Sequence, residues 1–70
     1  MKIKYSVDAD IVIIRLSDNP PVDSIDLQEG VIVHVDKDKR PVEIELLDAS
    51  KITNLDDVGF SIIPKQAKAS

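Results

Sequence analysis

Apolar side chains in this chain recur at every second position, in one short run after another. A period of two is the signature of a half-buried β-strand. Ile3 and Tyr5 alternate with Lys2 and Lys4. Ile11–Leu16 is rich in β-branched residues, as strands prefer, with Val12, Ile14 and Leu16 on one face and Ile11, Ile13 and Arg15 on the other. Ile25 and Leu27 alternate with Ser24 and Asp26. Val31, Val33 and Val35 share a face opposite Ile32 and His34. Val42, Ile44 and Leu46 point one way, Glu43 and Glu45 the other, and Pro41 opens that run, where a strand tolerates proline.

The links between these runs are short and polar. Asp8-Ala9-Asp10 is a turn. Pro20 and Pro21 donate no ladder hydrogen bonds and mark a loop. Glu29-Gly30 supplies a turn in which glycine takes a positive φ. Asp36–Arg40 is a fully polar hairpin. Consecutive strands with short links predict an antiparallel five-stranded meander. The short, acidic third strand suits an edge.

The period breaks at Asp48-Ala49-Ser50-Lys51, which predicts a helix of one or two turns with Asp48 or Ser50 as N-cap. Ile52 and Leu55 are spaced to face the sheet together. Val58, Phe60, Ile62 and Ile63 lie around Gly59 and Pro64 and read as an extended arm or a sixth strand. Lys65–Ser70 is small and polar and is expected to fray. The fold class is therefore α+β, mostly β: a five-stranded antiparallel meander, one short helix after the last strand and an extended C-terminal arm. Residues 1–58 form a single domain and 59–70 the arm, partly flexible.

One helix of this size cannot cover a five-stranded apolar face. The chain has 70 residues, and a domain that small buries only about 60% of its unfolded surface. Small domains gain stability from disulfides, a metal or oligomerisation. With no cysteine, disulfides and thiolate zinc sites are excluded. Oligomerisation is the remaining favoured route, and a symmetric homodimer is its commonest form.

Charge narrows the partners. Thirteen acidic residues against nine basic give a net charge of −4. The basic residues are scattered, most beside an Asp or Glu, so no basic patch favours phosphates. Neither nucleic acid nor a membrane surface is an expected partner. The longest apolar run, Ile11–Ile14, falls far short of the ~20 residues of a membrane span. It is also too short for a signal-peptide core. A cytoplasmic location is expected, which the absence of cysteine fits.

Chemistry-bearing residues are few. His34, on the polar side of its strand, reads as a solvent-facing residue that Glu43 and Glu45 approach from across the hairpin. Arg15 joins them in a charge ladder, and exposed pairs of this kind contribute about 0.2–1 kcal/mol each. Arg15, His34, Glu43 and Glu45 are the candidates for a small-ligand site. Asp36 and Asp38 resemble the opening of a calcium loop, but Arg40 and Pro41 stand where its next ligand and glycine belong. Asp8 with Asp10, and Asp56 with Asp57, read as turn and cap residues. No glycine-rich phosphate loop, zinc cluster or nucleophile motif is present. No catalytic residue, metal or cofactor is expected.

The stretches Met1-Lys-Ile-Lys-Tyr5, Asp8-Ala-Asp10 and Ile14-Arg-Leu-Ser17, then Gly30-Val-Ile-Val33 and Val42-Glu-Ile-Glu-Leu-Leu-Asp-Ala-Ser50, resemble the domain-of-unknown-function family 2283. The resemblance covers about residues 1 to 51. It implies a small β-rich fold of bacteria and archaea and carries no catalytic residue with it. Members that neighbour toxin-like genes imply an antitoxin role in those cases. Two places depart from the family: Lys39-Arg40 stand in a hairpin that often holds a glycine, and His34, near which members commonly have an acidic residue, looks peculiar to this chain.

These readings converge on a non-enzymatic interaction module, an antitoxin-like partner of a small basic toxin-like protein, contacting it through Val58, Phe60, Ile62 and Ile63. The alternative is a small-ligand binder or enzyme with its site at a homodimer interface.

Overall fold

The computed structural model describes residues 1–66. The expected fraying of Lys65–Ser70 lies, from residue 67 onward, outside them. Five strands form in the expected runs: β1 (Lys2–Ser6), β2 (Ile11–Arg15), β3 (Asp23–Gln28), β4 (Val31–Val35) and β5 (Pro41–Leu47). A single-turn helix α1 (Ala49–Ile52) follows. All five strands belong to one antiparallel sheet in the order β1-β2-β5-β4-β3. The meander therefore runs in two units. The β1–β2 hairpin and the β3–β4–β5 meander join where β2 pairs with β5. The acidic β3 is an edge strand, as its composition predicts.

The link from β2 to β3 crosses the ends of β5 and β4 to reach the far edge. It is held along the way by backbone bonds. Leu16 and Ser17 donate to the Val42 carbonyl at 2.8 and 3.3 Å, and Val22 donates to the Val35 carbonyl at 2.8 Å. The Asn19 amide donates to Asp36 Oδ2 at 3.1 Å. Asp36 Oδ1 accepts the backbone N–H of Asp38 and Arg40 at 2.8 and 3.0 Å. This one buried carboxylate thus closes the β4–β5 hairpin and ties the crossing link to it.

Helix α1 begins where the sequence places it, but by a different device. Asp48 is the N-cap residue, in the left-handed region at φ 50°, and its side chain makes no capping bond. Asp10, 40 residues away, supplies the cap. Its Oδ1 accepts the Ser50 N–H at 3.0 Å, its Oδ2 the Ser50 hydroxyl at 2.6 Å, and its carbonyl the Ala49 N–H. The helix stops after one turn because Thr53 returns to extended backbone, donating both its N–H and its Oγ1 hydrogen to the Ala49 carbonyl. Leu55 faces the sheet as expected; Ile52 is half exposed and does not line the groove that Leu55 enters. Beyond α1 no further strand forms among the described residues, so Val58–Ile63 is an arm and not a sixth strand.

Gly30 and Lys39 are among the turn positions with positive φ. Gly30 sits at φ +82°, and a Cβ there would lie 3.3 Å from the Leu47 carbonyl oxygen. Lys39 sits at φ 63° with a side chain to accommodate. The left-handed region costs a side-chain-bearing residue roughly 1–2 kcal/mol. Gly30→Ala will therefore lower stability by about 1–2 kcal/mol. Lys39→Gly, which removes the side chain from that left-handed position, will raise it by up to about 1 kcal/mol. Urea midpoints of the two variants against the parent chain check both signs.

Candidate functional site

The register divides the sheet into two unlike faces. On one, Ile3, Ile14, Ile44, Val33 and Ile25 are cross-strand partners in a single row running from edge to edge. Tyr5, Val12, Leu46 and Val31 form the next row. The segment after α1 approaches only the β1–β2–β5 half of this face. Leu55 and Val58 stand opposite Ile3, Val12, Ile14 and Leu46 across a groove of about 480 Å³. On the other half Ile25 and Leu27 remain 49% and 65% exposed. Buried hydrophobic residues among those described are only Val12, Val35, Val42 and Ala49.

Beyond Gly59 the arm covers none of the deficit. Val58, Phe60, Ile62 and Ile63 are 68–84% exposed. The radius of gyration is 15.1 Å, against about 11 Å for a compact chain of this length. Of the four expected contact residues, Val58 thus stands at the groove, and Phe60, Ile62 and Ile63 project into solvent.

The opposite face brings the four polar candidates together. Lys2, Arg15, Glu43, His34 and Ser24 are successive cross-strand partners in one row. Lys4, Ile13, Glu45, Ile32 and Asp26 form the row beside it. Arg15 donates from Nε to the Ser17 carbonyl at 2.9 Å and from Nη1 to Glu43 Oε1 at 3.3 Å. His34 Nε2 lies 2.5 Å from Glu45 Oε1, on the diagonal, and 3.9 Å from Glu43 Oε2, its direct cross-strand partner. The expected ladder thus exists, with Arg15 on Glu43 and His34 on Glu45. No hydroxyl nucleophile is hydrogen-bonded to His34 among the described residues, so the cluster lacks the pairing that activates one.

A second polar node has no counterpart among the candidates read from the sequence. Tyr5 donates its hydroxyl to Asp10 Oδ1 at 2.8 Å, beside the two bonds from Ser50. The Ser50 hydroxyl, then the Tyr5 hydroxyl, hold the Asp10 carboxyl below its ordinary value; the Ser50 N–H and the charge of Lys51 act in the same direction. The same bond to Asp10 pushes the Tyr5 phenol upward. With Ala49 fully buried beneath it, this node fastens α1 and the β1–β2 turn into one corner. The signal was present as Tyr5, Asp8-Ala-Asp10 and Leu47-Asp-Ala-Ser50, pieces whose contact only the fold reveals.

Among the described residues no helix is long and apolar enough to cross a membrane. No curated protein and no solved structure matches the chain. The signature pieces around Asp10 and Ser50 do fall inside a family: residues 2–50, well over half of the chain, match the model described as "Protein of unknown function (DUF2283)", and the chain belongs to that family.

Proposed function

We propose that this chain is a non-enzymatic interaction module that works by covering its apolar sheet face with another protein surface, in the first instance a second copy of itself. The observation that carries this reading is the uncovered β3–β4 part of that face beside a projecting apolar arm. Each large aliphatic or aromatic side chain taken fully out of water contributes about 1.5–3 kcal/mol. A chain with so few buried residues gains more from such burial than from any change within the monomer. An isologous pair brings the same face and two arms to one interface. The finer form of the reading is an antitoxin-like partner of a small basic toxin-like protein, for which the net charge of −4 is complementary. In that form the arm residues Val58, Phe60, Ile62 and Ile63 make the contact.

Light scattering on the purified chain is expected to give twice its 7.7 kDa mass. Ile25→Lys and Val33→Lys, on the uncovered half, are expected to return it to the monomer with the strand signal in circular dichroism retained. A monomeric parent chain that also captures no basic protein in stoichiometric amount from its host would overturn the module reading. Undiminished capture of such a partner by a chain lacking residues 56–70 would overturn the role of the arm.

A further inference from the structure

We infer that the polar face carries a site for one divalent transition-metal ion, held by the imidazole of His34 and the carboxylates of Glu43 and Glu45. The two glutamates project from the same face of β5, two residues apart, and His34 projects beside them from β4. One donor atom from each residue lies within 4.8 Å of the other two. Zinc binds imidazole nitrogen and carboxylate oxygen at about 2.0–2.2 Å, so neighbouring ligand atoms around a tetrahedral ion stand about 3.4 Å apart. The two distances at His34 Nε2, 2.5 Å to Glu45 and 3.9 Å to Glu43, bracket that value. Each differs from it by under about 1 Å.

A simple cross-strand pair accounts for His34 and Glu45. It leaves Glu43 Oε2 turned toward the imidazole at a distance too long for a hydrogen bond. Arg15 explains this orientation in part. It holds Glu43 by Oε1 and is itself held by the Ser17 carbonyl, so Oε2 is the oxygen left to face His34. Arg15 is therefore a positioning residue and not a ligand.

The donor set selects the class of ion. An imidazole nitrogen suits zinc, cobalt, nickel or copper, whereas magnesium and calcium prefer all-oxygen sites. Two carboxylates offset a divalent charge, and with Arg15 paired to Glu43 the occupied cluster carries a net charge of about +1. Ile13 and Ile32 flank Glu45 in its row, so apolar side chains adjoin it on two sides and strengthen the ionic contacts. The three side chains are still 19–24% exposed, so the outer side of the ion stays open to water. The site lies on the face opposite the proposed interface and does not depend on it.

The test is calorimetric titration of the full chain with zinc sulfate, repeated with magnesium chloride and with the His34→Gln and Glu45→Gln variants. Far-UV circular dichroism verifies that each variant keeps its sheet. The expected result is one zinc ion per chain, no magnesium binding at the same concentrations, and zinc affinity at least about a hundredfold weaker in both variants, the upper end of the loss seen on removing a mere supporting residue. Absence of zinc binding, zinc binding retained by His34→Gln, or magnesium binding as tight as zinc overturns the proposal. Cobalt(II) provides an independent readout. A visible absorption band that appears with the parent chain and is absent with His34→Gln supports it, and equal spectra from the two overturn it.

Discussion

Val42→Ala will lower the stability of this chain by about 2–3 kcal/mol, and Val42→Asp will leave it unfolded. Val42 is fully buried on the central strand, and its carbonyl accepts the N–H groups of Leu16 and Ser17. Truncation to alanine removes two buried carbons at about 0.8 kcal/mol each, and the cavity left behind adds to that. A domain of 70 residues has roughly 3.5–10 kcal/mol of stability in total, so the loss is a large share of it. The midpoint of thermal unfolding should fall by about 10–20 °C. Ile62→Ala, on the exposed arm, is the matched control and should stay within about 0.5 kcal/mol of the parent under conditions where the chain is monomeric. Equal effects from the two substitutions would mean that the sheet centre is not where stability is concentrated.

Acid will unfold the chain through Asp36 and Asp10. The Arg40 N–H, the Asn19 amide and the Asp38 N–H hold the Asp36 carboxyl below its ordinary value of 3.8, against the opposing effect of its burial. Asp10 is lowered by Ser50 and Tyr5. A carboxyl whose folded value lies below its unfolded one binds more protons in the unfolded state. Stability therefore rises with pH across the interval between the two values. The contribution is complete above about pH 4 and is lost as pH falls through the lowered folded values. Asp36→Asn keeps an oxygen for the hairpin amides but sets its new amide donor against that of Asn19. That variant should be less stable at neutral pH and should show a flatter loss below pH 4; the double variant with Asp10→Asn should be flatter still. Tyr5 acts at the other extreme. Its raised folded value means a contribution present below pH 10 and lost as pH rises through that value. Unfolding midpoints measured from pH 2 to 11 check all three signs, and an unchanged acid limb in the double variant would contradict the assignment.

All five strands were legible because their alternation is local and each has one apolar face. The edge position of β3 was legible in its acidity. The neighbourhood of His34, Glu43 and Glu45 followed from parity within strands and from a hairpin of readable length; Arg15 reaches Glu43 only through the pairing of β2 with β5. What escaped the sequence is non-local. The pairing of β2 with β5 depends on a link that crosses two strand ends, and nothing within residues 16–22 states how far it travels. The capping of α1 by Asp10 joins positions 40 apart, while the adjacent Asp48, the residue that local rules favour, is diverted into the left-handed region. The projection of the arm is equally non-local. Val58–Ile63 is apolar enough to pack, but only its first two residues, Val58 and Gly59, reach the groove beside the sheet.

The strand order also fixes when the sheet can come into being during synthesis. β5, at its centre, is the last strand to be made. A nascent chain that ends before residue 41 holds two separate hairpins, β1–β2 and β3–β4, which share no strand pairing. Each exposes an unpaired edge, β2 or β4, of the most apolar sequence in the chain, and edges of that kind recruit other strands. The arrival of β5 satisfies both at once, so the sheet is joined into one only late. The hazard for this protein is thus greatest on the ribosome, in the interval between completion of β4 and emergence of β5.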